Sequence, residues 1–153
     1  MGAWGVGIFD SDCNCDSFAN FEIKPIQQIL KTIQEYTKND LKNTYLEIDE
    51  AGDIIIAALL AAGFKNQNNI SKREQELTPY FSKKVLDIIN SNQKEFNEAT
   101  KGYVTEDGLD VFLGCKKALS LVISPYSESY ELWGETDLFR EWLGSLESLI
   151  GDL

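Results

Sequence analysis

The chain has 153 residues, enough for one domain with its own core, and its 43% hydrophobic content indicates a folded protein rather than a disordered one. Fourteen basic against 25 acidic side chains give a net charge of −11, which argues against direct binding to nucleic acid or to an anionic membrane. Histidine is absent, so catalysis by a Ser–His or Cys–His pair is excluded.

The first predicted helix begins near Cys13, after an apolar segment interrupted by glycines. We expect Trp4 and Phe9 to pack this segment onto the helices, with the glycines allowing close approach. Asp10 or Asp12 is the expected cap of the helix, and acidic side chains in its first turn suit the helix dipole.

Asp10, Asp12 and Asp16 also place oxygen ligands at spacings like those in the first half of a calcium-binding loop. The match fails at the sixth position, where the loop requires glycine and this chain has Cys15. We therefore expect no metal and no cofactor. A metal- or small-ligand site built from these three aspartates remains the alternative.

Helical periodicity continues through the middle of the chain. Apolar side chains after Pro25 recur at the spacing of a helix with one buried face. Thr44 and Glu47 have capping-box spacing and predict a further helix that ends near Gly63. Apolar residues cover every side of that helix, so we expect it to be the most buried one.

The stretch over 63–77 is polar and predicts a loop, with one helical turn at 71–74. The remaining predicted helices begin at Pro79 (with Thr78 as N-cap), at about Leu109 and at about Thr136. Residues 91–100 either extend the first of these or form a loop. No segment alternates with period two for long enough to require a strand. The sequence therefore predicts an all-α fold, with residues 1–153 forming a single compact domain of about six to eight helices.

The acidic excess is concentrated in three blocks. Residues 1–21 carry a charge of −3, residues 46–64 carry −4 and residues 128–153 carry −6, while the segments between them are nearly neutral or weakly basic. If the blocks converge in space, they form one negative face that attracts a basic protein. Ordinary acidic solubilisation is the alternative that composition leaves open.

The cysteines and tryptophans give two further indications. Three cysteines without a secretion signal favour free thiols in a reducing cytoplasm. Trp142 lies on the apolar stripe of the last predicted helix and is expected in the core. Trp133 stands between Glu131 and Glu135, so we expect it to be exposed and to anchor a partner.

The opening residues Gly-Ala-Trp-Gly, followed by Phe-Asp-Ser-Asp over 9–12, resemble the signature of a bacterial family of unknown function, DUF4259. The family pattern has Asn where this chain has Ser11, and an Asp-Trp pair where this chain has Asp-Ser-Phe over 16–18. The resemblance continues at Tyr-Leu-Glu over 45–47 and at Glu-Leu-Trp over 131–133. It implies a small, mainly helical cytoplasmic protein, and it supplies no catalytic residues.

Small, acidic, helical bacterial proteins include immunity proteins that neutralise toxins, and this analogy sets our leading hypothesis. We expect a non-enzymatic protein that covers the basic surface of a toxin domain, such as a nuclease. A carboxylate-only hydrolase is a less favoured alternative. The candidate partner-binding residues are Asp49, Glu50, Asp53, Glu128, Glu131, Trp133, Glu135 and Asp137.

Overall fold

Eight α-helices form most of the chain that the computed structural model describes, namely residue 5 and residues 7–38 and 44–153. The helices are α1 (Asp12–Ile23), α2 (Pro25–Tyr36), α3 (Ile48–Lys65), α4 (Asn68–Ser71), α5 (Glu74–Thr100), α6 (Val111–Val122), α7 (Glu128–Gly134) and α8 (Phe139–Gly151). Leu46 and Ser127 form an isolated parallel β-bridge, and the described ranges contain no strand. The predicted all-α class is confirmed, with a helix number at the upper end of the expected range.

Helix α3 is the centre of the fold and packs against every other helix. Thirteen of its 18 residues are buried, because its apolar side chains cover the whole circumference, as expected. Its predicted start at Thr44 is wrong. Glu47 and Glu50 form the capping box instead, and Glu50 Oε1 accepts from the Glu47 N–H at 3.0 Å.

The later start of α3 has a main-chain cause. The Leu46 N–H donates to the Tyr126 carbonyl and the Leu46 carbonyl accepts from the Glu128 N–H, both at 2.8 Å. These two bonds hold the segment before α3 extended, so the helix cannot begin at Thr44. The predicted end at Gly63 is also early, because α3 continues to Lys65.

The N-terminal segment packs against α5, as predicted. Phe9 is 2% exposed, and its ring stacks on Phe81 with the centroids 4.1 Å apart. A Cβ atom at Gly7 would lie 2.6 Å from the carbonyl oxygen of Glu76, so only glycine permits this approach. Trp4 lies outside the described residues.

The predicted cap of α1 is wrong. The helix begins at Asp12 with Ser11 at the N-cap position, and no side chain bonds to the first turn there. The Asp10 carboxylate turns back and accepts from the Gly7 N–H at 3.1 Å, closing a turn before the helix. Asp12 lies in the first turn, where its charge suits the helix dipole.

The region between α3 and α6 is more helical than expected. Part of the predicted loop over 63–77 forms α4 and the first turn of α5, and the predicted turn at 71–74 is found earlier, in α4. Residues 91–100 extend α5. Thr78 interrupts α5 with φ 69° and ψ 153°, before Pro79, and its hydroxyl accepts from the Phe81 N–H at 3.5 Å, so the predicted cap is confirmed.

The C-terminal part contains one helix that the sequence analysis missed. Ser127 caps α7 by accepting from the Tyr130 N–H at 3.5 Å. Helix α8 begins at Phe139 rather than near Thr136, and Trp142 is buried as predicted. None of the helices in the described ranges combines the length and the apolar character that crossing a bilayer requires.

Candidate functional site

The acidic blocks of the sequence meet at the N-terminal end of α3. Helix α1 approaches this end closely, because a Cβ atom at Gly52 would lie 2.8 Å from the Ser17 hydroxyl oxygen. Across the same contact Asp49 lies close enough to the Cys13 thiol to raise its pKa. The first acidic block therefore lies beside the second one.

Helix α7 brings two acids of the third block, Glu128 and Glu131, to the same place. The Ile48 N–H donates to Glu128 Oε2 at 2.9 Å, and the Tyr45 hydroxyl donates to Glu131 Oε2 at 2.8 Å. Both bonds are held by the main-chain pairing of Leu46 with the Tyr126–Glu128 segment. The second and third blocks are thus joined by direct contacts.

The C-terminal turn of α2 completes the arrangement. The Tyr36 hydroxyl donates to Glu50 Oε2 at 3.0 Å, and the neighbouring Glu35 side chain is exposed. We call the carboxylates gathered here the acidic end of the molecule. Its members are Asp12, Asp16, Glu35, Glu47, Asp49, Glu50, Asp53, Glu128 and Glu131.

The pKa of Asp53 reflects this crowding. Burial is the largest cause of its raised pKa, and a hydrogen bond from Ser17 opposes the shift. The negative charges of Asp49, Glu35 and Glu50 raise it further. Asp53 is therefore harder to ionise than an ordinary aspartate, first because it is partly buried and then because it lies among like charges.

Hydroxyl and thiol groups at the acidic end stay neutral at pH 7. Burial, followed by the hydrogen bond to Glu50, raises the pKa of Tyr36 well above its usual range. The hydrogen bond to Glu131 is the main cause that raises the pKa of Tyr45 to about 12. Burial and then the nearby Asp49 carboxylate raise the pKa of Cys13, so its thiol is a poor nucleophile.

The negative charge at this end has no cationic partner within the described ranges. The ion pairs there join Lys72 and Arg73 to Asp152, Lys84 to Glu22, and Lys117 to Asp107. None of these pairs includes a carboxylate of the acidic end.

Five of the predicted partner-binding residues lie together at this end: Asp49, Glu50, Asp53, Glu128 and Glu131. Glu135 and Asp137 lie in the exposed connection between α7 and α8. In the described part of the chain, no hydrogen bond or ion pair of their side chains joins them to the acidic end.

The predicted exposure of Trp133 is wrong. The side chain is only 8% exposed, and its ring stacks on that of Trp142 at 6.1 Å with 13° between the planes. The flanking Glu131 and Glu135 are exposed, but a helix places Trp133 beside Ser129 on its buried face. Trp133 fastens α7 to the core and does not form a surface anchor.

Two exposed aromatic residues escaped the sequence analysis. Tyr45 is 46% exposed and Tyr126 is 52% exposed, and they lie on the two segments that pair beside the acidic end. Each precedes a glutamate by two residues, Glu47 and Glu128 respectively. That repeated spacing is the signal that could have identified them.

The aspartates of the first block have separate surroundings. Asp10 is engaged by the Gly7 N–H, while Asp12 and Asp16 are exposed. Over the described ranges, no three Asp, Glu or Cys side chains are arranged to hold a metal ion. The cleft behind this segment, lined in part by Asn14 and Trp133, holds about 30 Å³, which is the room one water molecule needs.

The comparisons with known proteins give a family and no function. The model of a family described as a domain of unknown function, DUF4259, matches residues 2–145. No curated protein and no solved structure matches the chain.

Proposed function

The chain belongs to the DUF4259 family, whose function is unknown, and from the geometry of its acidic end we propose that it is a non-enzymatic immunity protein. It neutralises a basic toxin domain in the cytoplasm by covering the positively charged surface of that domain. The preferred target is a nuclease, because a nuclease must carry Lys and Arg side chains to hold the phosphate backbone.

The observation that carries this proposal is the convergence of acidic residues from blocks that lie far apart in the sequence. Glu50 and Glu131 are 81 positions apart, yet α3 and α7 place both at one end of the molecule. Like charges brought together repel one another, and the described residues supply no cation to compensate them. A cationic partner would relieve that repulsion on binding.

The way in which the carboxylates are held also supports a binding role. Glu128 is held by the Ile48 N–H, Glu131 by the Tyr45 hydroxyl and Glu50 by the Tyr36 hydroxyl. Side chains that are already ordered lose less entropy when a partner binds. Each carboxylate retains free lone pairs for an incoming guanidinium or ammonium group.

The test begins with the gene directly upstream: if it encodes a large secreted protein with a variable C-terminal domain, that domain is the candidate toxin domain. The double variant Asp49→Asn/Glu131→Gln removes two exposed charges from the acidic end. We expect it to bind the toxin domain about tenfold more weakly at low salt and to protect cells less well on co-expression. Affinities measured by calorimetry at two salt concentrations give the electrostatic part of the binding free energy.

The matched control is Glu95→Gln/Glu98→Gln. Both side chains are exposed, and they flank Phe96 in the sequence, which stacks on Phe64 near the opposite end of α3. That end lies roughly 22 Å from Asp49 along the helix axis. The proposal fails if wild-type protein does not bind the domain, or if both double variants and both salt concentrations give the same affinity.

A further inference from the structure

A small recess opens beside the acidic end, between the C-terminal turn of α2 and the segment that leads into α3. It holds about 30 Å³ and is open to solvent. It is lined by Tyr36, Thr44, Tyr45, Leu46, Glu50 and Leu121. This is far below the size of a typical small-molecule site, so the end of an incoming side chain would lie across the open mouth.

The walls of the recess combine aromatic rings with a carboxylate. Tyr45 is held in place by its bond to Glu131, while its ring is 46% exposed. Glu50 accepts from the Tyr36 hydroxyl through Oε2 and from the Glu47 N–H through Oε1, and each oxygen keeps a further lone pair. The recess therefore offers a fixed aromatic face next to a fixed negative charge.

We propose that this recess binds an arginine side chain of a basic protein partner. A guanidinium group is planar, stacks on aromatic rings and pairs with carboxylates in the same plane. Lysine, a compact and strongly hydrated charge, gains less from the same walls. Charge complementarity with the surrounding carboxylates, Glu131 among them, selects a cationic occupant over an apolar one.

This inference rests on the proposed function and names the residue type that the acidic end recognises. Tyr45 takes the anchoring role that the sequence analysis gave to Trp133. An exposed ring held by one hydrogen bond loses little entropy on binding, as expected of an interface anchor.

The experiment compares blocked hexa-arginine and hexalysine peptides of equal charge as probes of the full chain, by calorimetry. We expect hexa-arginine to bind at least about threefold more tightly than hexalysine. Tyr45→Leu lowers hexa-arginine affinity by about three- to fivefold and changes hexalysine affinity less than twofold. Tyr45→Phe, which keeps the ring, retains most of the arginine preference.

Tyr80→Leu is the matched control, because Tyr80 is also exposed but already faces a cation of its own chain, with Lys84 Nζ 4.9 Å from its ring centroid. We expect Tyr80→Leu to leave the affinities for hexa-arginine and hexalysine unchanged. Thermal unfolding of each variant confirms that the fold is intact. If the two peptides bind equally and Tyr45→Leu has no effect, the proposed arginine site is overturned, while the proposed function still stands.

A Tyr45-dependent arginine preference in a protein that fails to bind the toxin domain has the opposite meaning: the recess stands and toxin neutralisation fails. Lys42 lies outside the described residues and precedes the recess by two positions. If Lys42→Ala raises hexa-arginine affinity more than threefold, the recess serves the chain's own lysine, and the proposal is overturned.

Discussion

Among single residues, Asp152 has the clearest structural task. Its carboxylate pairs with Lys72 at 2.7 Å and with Arg73, whose side chain is only 5% exposed, and so joins the end of α8 to the region after α4. Burial raises the pKa of Asp152, but hydrogen bonds from Lys72 and Arg73 outweigh it and leave the pKa lowered.

Replacing this carboxylate should destabilise the fold. Asp152→Asn leaves the buried Arg73 guanidinium without its charge partner, so we expect a loss of about 1–3 kcal/mol in the free energy of unfolding at pH 7. Urea unfolding measures the loss. Asp137→Asn, an exposed aspartate, is the control and should change stability by less than about 0.5 kcal/mol.

The same variant gives a pH signature. The pKa of Asp152 is lower in the folded protein than its ordinary value of 3.8, so its contribution is complete above that value and is lost as pH falls through the lowered one. The stability difference between wild type and Asp152→Asn should persist from pH 7 to about pH 5 and shrink below about pH 4. A difference that stays constant to low pH would contradict the ion pair.

At the scale of the helix, we expect alanine substitutions at two glycines to change the stability of the fold in opposite directions. A Cβ atom at Gly63 in α3 would lie 2.1 Å from Ile89 Cδ1, inside the core. Gly63→Ala should therefore cost about 1–3 kcal/mol despite the better helix propensity of alanine. Gly144 in α8 is exposed and has nothing within 4 Å of its Cβ position, so Gly144→Ala should stabilise by about 0.5–1 kcal/mol.

Chemical denaturation of the two glycine variants under identical conditions checks both signs. If Gly63→Ala is as stable as wild type, the isoleucine side chains opposite it can move aside, and the close packing of α3 against α5 is less strict than the distance indicates.

The sequence predicted which long segments are helical and in what order, but it did not predict several of the helix ends. Periodicity identified α2 and the buried character of α3, because these signals are local. The start of α3 depends on the pairing of Leu46 with Ser127, a contact across 81 positions that no local pattern encodes.

The candidate site could likewise be predicted only in part. The charge counts identified the acidic blocks, and the fold determined that Glu50, Glu128 and Glu131 meet at one end. Trp133 shows the limit of local reasoning. Its charged neighbours suggested exposure, but the short helix α7 turns the ring toward Trp142. Recognising α7 requires the cap at Ser127, a weaker signal than a long amphipathic stripe.

For the whole molecule, the acidic end is a place where stability and binding conflict. Carboxylates gathered without compensating cations in the described ranges raise the free energy of the folded state. Proteins commonly retain such costs where function requires them, and neutralising the charges then stabilises the fold while weakening function.

Asp53→Asn tests this conflict at a carboxylate whose pKa is raised by burial and then by the neighbouring negative charges. Asparagine still accepts a hydrogen bond from Ser17 but carries no charge, so we expect it to stabilise the protein by about 0.5–1 kcal/mol at pH 7 in urea unfolding.

The raised pKa of Asp53 also predicts how this gain depends on pH. Above the folded-state pKa the ionised carboxylate destabilises the fold, and this cost disappears as pH falls below the ordinary value of 3.8. The gain should therefore be present at pH 7, diminish toward low pH, and be accompanied by weaker binding to the basic partner. Glu98→Gln should alter neither quantity. A loss of stability in Asp53→Asn would mean that the charge holds α1 against α3 and that crowding imposes no cost.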